Sequence, residues 1–80
     1  MKRKVYLVYE KAFINGQFIY DKDRQFFTSK NAAALWIERE KIRLMNQEWT
    51  IINENIENCQ FGAKLDKTTI YYNLWSGIPQ

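Results

Sequence analysis

The sequence predicts an α+β domain: an antiparallel sheet of four to five strands with one helix packed on one face, in the order β-β-α-β-β. Three observations predict it. Asn15-Gly16 stands between two runs of β-forming residues, and Asn followed by Gly supplies the positive φ angles that a type I′ hairpin turn needs at both central positions. Residues 30–45 hold neither Gly nor Pro and are rich in Ala, Leu, Glu, Lys and Arg, which marks a helix. Cys59, Phe61, Ala63 and Leu65 alternate with Gln60, Gly62 and Lys64, the period of a half-buried strand. At 80 residues the chain holds one domain, 1–80, and no second core.

Taken in order, residues 4–10 read Lys-Val-Tyr-Leu-Val-Tyr-Glu, a β-branched and aromatic run of one strand's length. Val5, Leu7 and Tyr9 point to one face, and Tyr6 and Val8 to the other. A strand apolar on both faces belongs inside a sheet rather than at its edge. Residues 12–14 and 17–20 form the arms of the Asn15-Gly16 hairpin. Asp21, Lys22, Asp23 and Arg24 then interrupt the pattern before Phe26 and Phe27, as a turn or bulge that re-aims the second strand.

Thr28 or Ser29 caps the helix of residues 30–45, since a hydroxyl there accepts from an unpaired first-turn amide. At 100° per residue, Ala32, Leu35, Trp36 and Ile42 form the stripe expected to pack on the sheet. Ala33, Ile37 and Leu44 form a second stripe beside it, expected to meet a covering loop or a partner. Residues 48–56 form a third strand, weakened at its far end by Asn53 and Asn55. Residues 59–65 turn back through Asp66-Lys67 into residues 68–75. Residues 1–3 and 76–80, the latter with Gly77 and Pro79, are expected to fray.

Histidine is absent, which removes the commonest general base and metal ligand. Asp21 and Asp23 read as a turn cluster rather than an acid/base pair. The three glycines are isolated, so no loop can cradle a phosphate. Cys59 is the only cysteine and reads as a small buried hydrophobe in a reducing, cytoplasmic setting. The apolar runs are too short for a signal core or a membrane span. The sequence therefore predicts no enzyme, no cofactor, no metal and no membrane partner.

Residues 4–10, followed by Phe26-Phe27-Thr28-Ser29-Lys30-Asn31-Ala32-Ala33 opening a helix, resemble a family of small phage and bacterial proteins of unknown function. Its plan is a first strand, a second strand ending in Phe and two hydroxyl residues, a helix and a return strand, here Trp49 to Glu54. The resemblance covers about the first 57 residues. The Asn15-Gly16 turn, the lack of an acidic third helical residue and the segment 59–75 depart from it. It implies a fold and a phage-type origin, and no active site.

Two functions follow as expectations. The first is a non-catalytic module that docks on another protein, such as a host or defence factor that a phage inhibitor would block, or on a second copy of itself. Its surface would comprise Tyr71, Asn73 and Trp75 on the final strand with Ile37 and Leu44 on the helix, because an aromatic share of 16% exceeds what so small a core needs and aromatics dominate interface hot spots. The alternative is a nucleic-acid-binding module. The net charge of +3, the basic trio Lys2, Arg3 and Lys4, and Tyr6 in the first strand would carry it.

Overall fold

The computed structural model describes residues 4–78. Its elements are β1 (Val5–Ile14), β2 (Gln17–Phe27), α1 (Lys30–Asn46), β3 (Thr50–Asn55), β4 (Gln60–Leu65) and β5 (Thr68–Gly77). The strands form one antiparallel sheet in the order β2-β1-β5-β4-β3, with α1 on one face. The element order is thus β-β-α-β-β-β, one strand more than β-β-α-β-β. Asn53 and Asn55, expected to weaken the third strand, stand within β3, and the turn to β4 follows at residues 56–59. Asn55 accepts from the Asn58 amide through its side chain at 3.1 Å, and Asn53 and Cys59 take left-handed φ angles of 51° and 53°.

β1 lies inside the sheet between β2 and β5, as its two apolar faces require. Asn15 and Gly16 both have positive φ, 54° and 78°, so the turn chemistry read from the sequence operates. Of the turn or bulge expected at Asp21 to Arg24, the structure has the bulge: β2 runs through these residues, and the register slips opposite Val8/Tyr9 and again opposite Ala12/Phe13. Those bulges twist the strand without ending it. Asp66 also takes positive φ, 53°, and closes the two-residue turn between Leu65 and Thr68. The Asn15 amide donates to the Lys67 carbonyl at 2.9 Å, joining the tips of both hairpins. Ser76 and Gly77 belong to β5, paired with Tyr6 and Val5, instead of fraying. Ile78 follows the strand, and the remaining predicted frayed positions, 1–3 and 79–80, lie outside the described residues.

Ser29 caps α1, its hydroxyl accepting from the Ala32 amide at 3.4 Å. The core beneath the helix comprises Val8, Ala33, Ile37, Leu44, Cys59, Phe61, Ala63 and Tyr72. The two helical stripes therefore exchange roles. Ala33, Ile37 and Leu44 face the sheet, whereas Leu35 is 53% exposed and Ile42 is also exposed, about half a turn away on the helix. Glu40 disguised the true stripe by falling within its arc. It is tolerated there because the sheet presents the Tyr72 hydroxyl to it, 3.4 Å away. Trp36 sits at the margin, half-buried, with Phe27 and Tyr72 each 6.3 Å from its ring.

Candidate functional site

With one helix on one face, the opposite face of the sheet has nothing over it among the described residues. Alternation places Val5, Leu7 and Tyr9 of β1 there, beside Phe26, Asp23 and Asp21 of β2 and Trp75 of β5. Together they line a shallow groove of about 520 Å³. Phe26 and Trp75 both pair with Leu7, from opposite sides, so β1 is the floor and the two aromatics are the walls. They are 60% and 48% exposed. Farther along the face, Phe13 meets Phe18 and Tyr71 edge-on, at 5.9 Å and 5.8 Å between ring centres.

Two glycines shape this surface. A Cβ on Gly62 would stand 3.0 Å from the Tyr71 ring, and one on Gly77 would stand 2.5 Å from the Trp75 indole. Both side chains therefore occupy the place a Cβ would fill, Tyr71 together with Ile52 at Gly62, which shields strand glycines from water and restricts the aromatic. Trp75 remains 48% exposed and Tyr71 half-buried, with little side-chain freedom left to lose on binding.

Tyr71, Asn73 and Trp75 do share one face, since Ile70, Tyr72 and Leu74 pack toward the helix. Ile37 and Leu44 do not join them. They are core residues, and the interface assigned to them is corrected by the exchange of stripes. Tyr6 points to the helix side and packs against the core. It shares a polar hollow of about 270 Å³ with Lys4, Lys30 and Ser76, and Lys4 stands 5.8 Å over its ring. Tyr6 and Lys4 therefore stay together as expected, on the opposite side of the sheet from Tyr71 and Trp75. Lys2 and Arg3 lie outside the described residues. The sequence reading missed Leu7, Tyr9 and Phe26 as groove residues, although the apolar alternation of β1 was their signal.

A second cluster lies between helix and sheet. Glu10 is 2% exposed and accepts from the Tyr20 hydroxyl and from Arg24, with which it forms an ion pair. Arg24 also donates to the Tyr72 hydroxyl at 3.2 Å, and its guanidinium lies 5.4 Å over the Trp36 ring. The Tyr72 hydroxyl donates to Glu40, which Arg43 holds at 2.6 Å. No buried side-chain polar atom lacks a partner among the described residues. The cluster is closed, and a closed network fixes the helix on the sheet rather than offering a reactive group. The clue in the sequence was Glu10 itself, an acid on the same face as Val8.

Burial, the Glu10 hydrogen bond and the Glu10 charge push the Tyr20 phenol up to about 12. Burial, with the charges of Glu10 and Glu40 next, raises Tyr72 as well. Unfolded tyrosine ionises near pH 10. Below that, both states keep the protons and the contribution is whole. Above it the unfolded state binds fewer protons, so stability should fall as the pH rises from about 10 toward 12. Absorbance titration of phenolate should show a late step near pH 12 that disappears in Tyr20→Phe; a Tyr20 that ionises with free tyrosine would mean it stands outside the network.

Among the described residues, no three metal-ligating side chains converge, and Cys59 is buried in the core. Asp21 and Asp23 stand in a strand, side by side along the groove, rather than in a turn. No family model matches the chain. No curated protein and no solved structure matches it either. Among the described residues, no helix is long and apolar enough to cross a membrane.

Proposed function

We propose that this chain is a non-catalytic protein-docking module whose working surface is the open face of the sheet. The observation that carries the reading is the pair of aromatics, Tyr71 and Trp75, packed across Gly62 and Gly77, with Trp75 and Phe26 flanking an apolar groove. Exposed and half-exposed aromatics around an apolar floor have the composition of an interface centre. The sequence resemblance to small phage proteins supports a host or defence protein as the target, which the module would block by occupying it.

The nucleic-acid alternative has weaker support. No Lys or Arg lines the groove, and two carboxylates do, which would repel phosphates. Lys4 and Tyr6 lie on the other side of the sheet, away from the aromatic rings.

Affinity capture from the native host, with nuclease treatment and mass spectrometry, tests the reading when wild type is run beside Tyr71→Ala and Trp75→Ala. Each substitution should weaken partner binding by about 2 kcal/mol and leave the fold intact. Binding should change little with salt. A partner retained at full strength by the folded double variant would reject the face, and a steep loss with salt would favour nucleic acid.

A further inference from the structure

We infer that the groove accepts an extended protein segment carrying a bulky apolar side chain and, two residues along, a lysine or arginine. This inference deepens the docking reading and rests on it. Its basis is the order of side chains along β1. Phe26, Leu7 and Trp75 stand in one cross-strand row; Asp23 and Tyr9 stand in the next, and Asp21 and Lys11 in the one after. Strands lie about 4.8 Å apart. Phe26 and Trp75, each one strand away from Leu7, therefore stand on backbones roughly 10 Å apart, so that an apolar side chain resting on Leu7 would lie between their rings.

Along β1 and β5 successive rows on one face are two residues apart, about 6.6 Å, and on β2 the bulge at Arg24 still brings Asp23 level with Tyr9. An extended ligand has the same period, so a side chain seated between Phe26 and Trp75 places its i+2 neighbour over Tyr9 and Asp23. That row suits a cation. Tyr9 offers a ring face and Asp23 a carboxylate, the combination that attracts guanidinium and ammonium groups.

Charge complementarity decides the sign of the partner. Glu10, Glu38, Glu40 and Glu54 are matched within the fold by Arg24, Lys41 and Arg43. Asp21 and Asp23 make no ion pair among the described residues, although Lys11 is the cross-strand neighbour of Asp21. In a chain of net charge +3, the apolar groove is thus edged by two unmatched negative charges.

The test is a nitrogen-15 NMR titration of the full chain with three probes: a peptide repeating Phe-Ser-Arg-Ser, its Phe-Ser-Glu-Ser counterpart and oligothymidylate of equal length. The basic peptide should shift the amides of Leu7, Tyr9 and Asp23 and the Trp75 indole, and should bind about tenfold more tightly than the acidic one. Asp21→Asn with Asp23→Asn should abolish that preference and keep the apolar binding, whereas Trp75→Ala should weaken both peptides. Equal binding of the acidic peptide would overturn the inference while leaving the face a docking surface. Tighter binding of oligothymidylate there would overturn both readings. Failure of the basic peptide to bind, or a groove closed by a second copy in light scattering, would overturn the inference alone, since the host partner would still report on Trp75.

Discussion

Arg24→Met should destabilise the protein by about 3 kcal/mol, the lower end of the range for breaking a buried ion pair. Glu10 cannot follow its partner into water, being 2% exposed at the centre of β1. Arg24 is more accessible, its side chain 27% exposed, which places the loss at the low end. The same substitution removes the cation over Trp36 and the donor to the Tyr72 hydroxyl. Adding Glu10→Leu should restore most of the stability, because an apolar pair of similar size has no charge to desolvate. Urea denaturation of the single and double variants measures both. A single variant losing under about 1 kcal/mol would mean that Glu10 finds solvent on its own.

Tyr72→Ala should cost about 4 kcal/mol, within the range for large aromatic truncations in a core. The ring is 1% exposed, lies 4.9 Å from Phe61 and meets Trp36 edge-on. Tyr72→Phe keeps that packing and removes one hydroxyl, so it should lose about 1 kcal/mol. Equal losses in the two variants would place the ring's contribution in its polar contacts rather than its packing. In a domain whose total stability is of order 5–15 kcal/mol, the alanine variant should show unfolded chain at modest denaturant.

The fold was legible where the local chemistry has one solution. Asn15-Gly16 admits one kind of turn, and the alternation from Cys59 to Leu65 admits one face. The alternation in the last strand likewise placed Tyr71, Asn73 and Trp75 together. Helix orientation was not legible, because it depends on partners remote in sequence. Glu40, paired locally with Arg43, reads as a solvent residue until Tyr72 is brought to it, and its arc then becomes the core side. The groove was half legible. Val5, Leu7 and Tyr9 could be set on one face from their spacing, but their meeting with Phe26 and Trp75 is a matter of strand order, which no local pattern specifies. Asp21 and Asp23 misled for a related reason, since bulges let a polar run remain in a strand.

The pairing of β1 with β5 bears on the order of assembly. Val5 meets Gly77, so the centre of the sheet joins the first described strand to the last, and the chain between them must close as one long loop. The two β-hairpins flanking that seam are local and can form in microseconds, whereas the seam carries the entropic barrier of distant contacts. During synthesis, β1 and β2 emerge well before β5, leaving the inner edge of β1 unpaired and both its faces apolar. That edge is a template for strands of other molecules until β5 arrives. Pulse-labelling hydrogen exchange should therefore find the hairpin amides protected before those of the seam, and the temptation to misassemble should lie in that interval rather than in the finished protein.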